Sequence, residues 1–261
     1  MPNEKPARRF AVISGKGGVG KTVITANLAA ALATCGKRTL VLDADLGLAN
    51  MDIILGLNAE GSIQDVLAGR MTEEEAIVHT RLGFDLLPAG SGLLESTLLT
   101  PDLTTNMESL LQRLESRYDA ILFDVGAGIG DVVLFFARIA DEVVVVVTPE
   151  PTSLMDAYAL IKILSLRFAC RNFRLVVNQA DPSHPEHSGM VVAARLQQVV
   201  SRFLEESVGA QVSIRLSGSL PTDPSVARAV SRQQSLAETD PTGPVASRIP
   251  RLAESLSRAL P

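Results

Sequence analysis

Two lysines share one glycine-rich loop in the stretch VISGKGGVGKTVI, residues 12–24. Within it, GKGGVGKT (15–22) fits the pattern G-x-x-x-x-G-K-[ST], which wraps backbone around a phosphate chain. Gly15, Gly17, Gly18 and Gly20 let the chain curl so that backbone N–H groups, that of Val19 among them, point inward. Lys21 is placed to put a cation on the β- and γ-phosphates, and the Thr22 hydroxyl to ligate Mg²⁺. The helix expected after the loop adds the positive end of its dipole. The chemistry this supports is binding and hydrolysis of ATP with Mg²⁺.

Carboxylates at two strand ends extend the set. ILFDVGAGIGD places Asp124 after an apolar run, where an acidic residue holding the magnesium is expected. Gly126, Gly128 and Gly130 then allow backbone to approach a γ-phosphate; their spacing is G-x-G-x-G, not the dinucleotide fingerprint. LDADLGLAN supplies Asp43 and Asp45. Two residues apart on an extended strand share a face, so both are expected to look toward the metal and the attacking water. Lys16 precedes Lys21 by five residues and is expected to project away from its own pocket. A cation there is either solvated or serves a phosphate arriving on another chain.

These residues need a frame that brings strand ends together. Apolar runs at 8–15, 38–45, 84–90, 118–126, 142–150, 173–181 and 211–221 read as strands, several of them apolar nearly throughout. That is the pattern of strands covered on both faces. Helical stretches fall near 21–35, 102–116, 130–139, 152–168, 188–207, 224–233 and 245–259. The alternation predicts an α/β protein: a three-layer P-loop NTPase fold, with a mostly parallel, twisted sheet flanked by helices. The linker-like stretch AETDPTGPVAS (237–247) sets off a short C-terminal amphipathic helix. The division expected is an ATPase domain over 1–243 and an appendage over 244–261.

Bulk properties agree. The 261 residues suit one large α/β domain, and 46% hydrophobic with 4% aromatic residues and no Trp predicts an aliphatic core. A net charge of −5 argues against a dedicated nucleic-acid binder, so DNA is not an expected partner. Cys35 and Cys170, far apart, suggest neither a disulfide framework nor a zinc site. MPNEKPARRF has no apolar signal core and no run approaches the ~20 residues of a membrane span, so a cytoplasmic location is expected.

KGGVGKT resembles the deviant phosphate loop of the MinD/ParA ATPases, a family that includes the nitrogenase iron protein. The resemblance implies that Lys16 reaches across a nucleotide-sandwich homodimer to the partner's phosphates, so that ATP binding drives dimerisation and hydrolysis loosens it. It implies that Asp45 orients the attacking water, Asp43 lies near the magnesium and Asp124 is the acid of the second switch. It also places Glu150 on the partner's nucleotide, Asp156 in the interface helix, Asn178 on the adenine edge, and Pro221 and Asp223 around the base. DADLGLANMD and EPTSLMDAYALIK are further similar to the FlhG subgroup, also called FleN or YlxH, which controls flagellar number and placement. The implied partners are an FlhF-type GTPase or a FleQ-type flagellar regulator. Many relatives carry an N-terminal Asp-Gln-Ala motif that stimulates FlhF; nothing in the ten or so residues before the first strand matches it. A ParA-like cargo-positioning ATPase and a MinD-like division-site regulator are the alternative roles. A redox enzyme with an intersubunit cluster would need cysteines near a switch, and a tyrosine kinase would need more than Tyr118 and Tyr158.

RIPRLAESLSRAL (248–260) aligns Ile249, Leu252, Leu256 and Leu260 on one helical stripe, with Arg248, Arg251 and Arg258 beside it. The stripe fits either packing on its own domain or reversible membrane contact, although it lacks Phe, Trp and Lys. His184 and His187, three apart among prolines, read as a solvated loop, and Arg228 and Arg232 as a solvated helix face. TEEEA (72–76) reads as a helix start with favourable first-turn acids.

Overall fold

The computed structural model describes residues 6–45, 50–90 and 100–257. In chain order the elements are β1 (Arg8–Ser14), α1 (Lys21–Thr34), β2 (Thr39–Ala44), α2 (Met51–Leu55), α3 (Ile63–Leu67), α4 (Glu73–Ala76), β3 (Val78–His79), β4 (Asp85–Leu87) and α5 (Pro101–Glu115). There follow β5 (Ala120–Ala127), α6 (Asp131–Ile139), β6 (Glu142–Val147), α7 (Pro151–Phe168), β7 (Asn172–Ala180), α8 (Pro185–Phe203) and α9 (Glu205–Val208). The last are β8 (Ser213–Pro221), α10 (Pro224–Ser231), α11 (Leu236–Thr239) and α12 (Ile249–Ser257). The strands form one sheet in the order β3-β4-β2-β5-β1-β6-β7-β8, parallel except for the pairing of β3 with β4.

Alternate residues of each central strand feed two cores. On β1, Ala11 and Ile13 enter the layer beneath α3–α8, while Phe10 and Val12 enter the layer beneath α1, α2 and α10–α12. On β6, Val143, Val145 and Val147 face the first layer and Val144 and Val146 the second. β-Branched residues pack well on a pleated surface covered on both sides, which is why these runs are apolar throughout rather than alternating. The expected α/β architecture is therefore the one observed.

Several expected boundaries shift. The run at 84–90 contributes only the three residues of β4, and the helix expected over 188–207 is two helices broken at Leu204. Three short helices, α2, α3 and α11, escaped the sequence reading because each has only one or two turns with which to show a period. The acid-rich stretch 72–76 does form α4, closed by a capping box between Thr72 and Glu75. The linker-like segment 237–247 is folded, with Val245 buried and a single 3₁₀ turn over Ala246–Arg248.

The C-terminal helix forms as expected and packs on its own domain, one of the two alternatives left open for its stripe. α12 lies against α1 and β8. Ile249, Leu252 and Leu256 are all buried, Leu252 to 1% exposure, within the second core. A Cβ on Gly218 of β8 would stand 3.3 Å from Leu252 Cδ1, so β8 leaves room for this helix. The described part of the apolar stripe thus faces the protein interior. Arg258 and Leu260 lie outside the described residues. No described helix is long and apolar enough to cross a membrane. Truncating a well-packed core leucine removes its transfer energy and leaves a cavity. Leu252→Ala is accordingly expected to lower the unfolding free energy by about 2–4 kcal/mol in urea titrations; a cost near zero would mean α12 is not part of the core.

Candidate functional site

The loop between β1 and α1 sits at the carboxyl ends of the central parallel strands, where open α/β sheets place their ligands. Two of its glycines adopt left-handed backbone, Gly18 at φ 75° and Gly20 at φ 86°. Gly15 is needed for a different reason. A Cβ there would come within 2.4 Å of the Asp156 backbone, because the first turns of α7 abut the loop. The loop is also tied to the stretch after β5: the Gly128 N–H donates to the Ser14 carbonyl at 2.8 Å, and the Ser14 hydroxyl donates to the Lys16 carbonyl at 3.0 Å.

Inside the loop Lys21 is 7% exposed, and its Nζ lies 3.0 Å from Oδ1 of the fully buried Asp124. The Thr25 hydroxyl, one turn further along α1, donates to the same oxygen at 3.0 Å. Asp124 Oδ2 is buried without a hydrogen-bond partner among the described residues. Asp43 stands directly across from Asp124 in the β2–β5 register. Both carboxylates have the parity of Val41 and Leu122 and so face the α1 side of the sheet. Asp43 accepts the N–H of Asp45 at 3.0 Å and that of Met51 at 3.3 Å. Burial, reinforced by the Asp124 charge, pushes the Asp43 pKa up to about 7.

Asp45 lies one residue beyond the end of β2. Its N–H turns back onto Asp43 rather than continuing the strand, and its carboxylate faces Gly126, where a Cβ would stand 3.3 Å from Oδ1. The simple two-residue alternation expected of Asp43 and Asp45 therefore stops at Ala44. Residues 46–49, the middle of the DADLGLANMD segment, lie outside the described residues.

Lys16 has neighbours within its own chain. It projects out of the phosphate cradle, as expected. Its Nζ pairs with Glu150 and lies 3.1 Å from Thr152 Oγ1, at the start of α7. The two charged side chains remain 38% and 58% exposed. Met155 on α7 and Ile129 before α6 are exposed apolar residues on the same edge of the sheet.

The residues expected around the base are spread over two strand ends. Asn178 donates from Nδ2 to the Val19 carbonyl at 2.8 Å, so its side chain braces the phosphate loop from outside. That contact needs Gly20, whose Cβ would lie 2.4 Å from the same Nδ2. Pro221 ends β8 opposite Ala180, and Asp223 caps α10 by accepting the Ser225 N–H at 2.8 Å. Thr25 was missed by sequence reading, though its place four residues after Lys21 on one helix face is a usable signal. The loop brace of Asn178 had none, since it joins residues 159 apart in the chain. His184 and His187 are exposed, and no group of three or more metal-ligating side chains occurs among the described residues.

The donor set suits a divalent cation. Two buried carboxylates face one lysine, one carboxylate oxygen is orphaned, and the Thr22 hydroxyl begins the neighbouring helix. A hard cation that takes oxygen ligands would relieve that excess of negative charge.

Comparison with known proteins agrees with this geometry. An AAA domain family matches residues 7–175. The antiactivator FleN of Pseudomonas aeruginosa is 39% identical over 92% of this chain and 83% of its own length. The flagellum site-determining protein YlxH of Helicobacter pylori is 41% identical over 62% of this chain and 55% of its own. The solved structure of the cell division protein MinD from Aquifex aeolicus superposes with a TM-score of 0.72 at 30% identity, covering 97% of this chain and 98% of that one. The chain belongs to the MinD/ParA family of P-loop ATPases, on its FleN/YlxH branch.

The Asp43 environment has a measurable consequence. In the folded, ligand-free protein this carboxyl keeps its proton up to about pH 7, whereas its ordinary value is 3.8. Between those values the folded state holds a proton that the unfolded chain has released. Its contribution to stability therefore falls as pH rises through this window and levels off above it. Thermal melts of the ligand-free protein across the window are expected to show that slope, and Asp43→Asn to flatten it. An unaltered slope in the variant would contradict the raised pKa.

Proposed function

We propose that this chain is an ATP-driven, reversible homodimer that controls the number or placement of flagella. The observation that carries the switch is the division of labour between the two loop lysines. Lys21 is buried on Asp124 inside the cradle, while Lys16 is held at the rim by Glu150 and Thr152. A cation at that rim can be handed to a triphosphate that a second copy presents. The charge-assisted contacts it would make there exist only in the dimer. Exposed Met155 and Ile129 on the same edge add apolar surface for such a pairing.

In this reading backbone N–H groups from Gly15 to Thr22 hold the phosphates, with Lys21 between β- and γ-phosphate. Thr22, Asp43 and Asp124 would hold Mg²⁺, which when bound would neutralise phosphate charge. Asp45, beside Gly126, orients the attacking water. Asn178, Pro221 and Asp223 border the base, and Glu150 meets the partner's nucleotide once Lys16 has left it. The flagellar role rests on FleN and YlxH, the flagellar relatives at 39% and 41% identity. An FlhF-type GTPase or a FleQ-type regulator is the partner this role calls for.

Two substitutions separate the parts. Lys16→Ala is expected to remain monomeric with ATP by light scattering and to lose hydrolysis by about tenfold or more. Asp45→Ala is expected to accumulate as an ATP-bound dimer, since binding groups remain while the water loses its orienting carboxylate. ATP-dependent dimers of the first variant, or normal turnover by the second, would overturn these assignments. Deleting the gene in its host is expected to change the flagella counted per cell by electron microscopy, and an unchanged count would overturn the flagellar role.

A further inference from the structure

At the opposite end of the sheet, about 20 Å from the phosphate loop along β1, four neighbouring strands place charged residues on the same face. Arg8 of β1, Glu142 of β6 and Arg174 of β7 share the parity of Val12, Val144 and Val176, all in the second core. Arg215 of β8 lies between Ile214 and Leu216, which pack on the first core, and so faces the same way as the other three. The strand order β1-β6-β7-β8 therefore reads plus, minus, plus, plus.

The pairing is incomplete. Glu142 is shared: Oε1 takes Arg8 Nη2 at 2.8 Å and Oε2 takes Arg174 Nε at 3.0 Å. Arg174 also donates from Nη1 to the Ser255 carbonyl near the end of α12, at 3.2 Å. Arg8 Nε is buried without a partner among the described residues. Arg174 and Arg215 are directly opposite in the β7–β8 register, a like-charge pair that costs stability. The exposed Arg215 guanidinium has no hydrogen bond or ion pair to another described residue. The second acid, Asp141, accepts the Arg9 N–H at 2.8 Å and sits 3.7 Å from Arg9 Nε, but Arg9 also pairs with Glu115 at 3.3 Å, so it answers the Asp141 charge only in part. Three guanidinium groups and two carboxylates line a cavity of about 310 Å³, leaving it net positive on a chain whose net charge is −5.

We propose that this cavity is a second anion site, for the dianionic phosphate group of a small phosphate monoester or of inorganic phosphate. Guanidinium forks match phosphate oxygens two at a time, which a point-charge lysine would not do. The Asn172 side chain at the rim adds a neutral donor. A dianion there converts the Arg174–Arg215 repulsion into a shared contact. The cavity leaves space beyond the phosphate for the group that carries it.

The test uses the full chain carrying Lys21→Ala, so that the phosphate loop contributes little. Inorganic phosphate and glycerol 3-phosphate at about 10 mM are each expected to raise the melting midpoint by about 2 °C or more over sodium chloride at equal ionic strength. A larger rise with glycerol 3-phosphate identifies a monoester as the ligand, and an equal rise identifies the phosphate group alone. Adding Arg215→Gln is expected to abolish the rise and, by removing the like-charge pair, to leave the ligand-free midpoint equal or higher. Arg215→Lys is expected to retain a reduced rise. If chloride reproduces the effect, or Arg215→Gln keeps it, the site does not exist.

Discussion

Two carboxylates on adjacent strands, buried beside a single lysine, set the terms for the rest of this molecule. Asp43 and Asp124 face each other across β2 and β5, and Lys21 answers only one of them. Removing charges from water is costly unless partners are close, so the site is held in a strained balance. The Asp43 pKa near 7 is one expression of that balance, and the orphaned Asp124 Oδ2 is another.

The frame around this pair is built from close approaches. α7 presses its backbone on Gly15, Asn178 reaches over Gly20 to Val19, and Gly128 ties the segment after β5 to the end of β1. Each contact links the phosphate loop to a different element, so the state of the loop is shared with α7, β7 and the stretch after β5. The ion pair between Lys16 and Glu150 belongs to the same edge but is exposed and solvent-screened. Such a pair is cheap to break. The pair of Lys21 and Asp124 is buried, and the rim pair is exposed.

Away from the loop, the second core absorbs the C-terminal helix, and the amino ends of the strands gather arginines around Glu142. The two are joined through Arg174, which reaches both Glu142 and the Ser255 carbonyl of α12. The helix that resembles a membrane anchor by its stripe alone is thus a structural cover whose end forms part of a charged edge.

Local chemistry was legible in the residues: the phosphate loop, its strand–loop–helix context, the three aspartates and the doubly covered apolar strands all follow from short-range pattern. Their meaning survives folding because each depends on neighbours within one turn or one strand end. What the sequence did not determine were pairings between distant segments. The cis partner of Lys16, the brace from Asn178, the opposition of Arg174 and Arg215, and the burial of Ile249, Leu252 and Leu256 each join residues far apart in the chain. An amphipathic stripe states only that an apolar face must be covered. Whether lipid or protein covers it depends on the neighbouring surface, here α1 and β8, which exists only once the sheet has assembled.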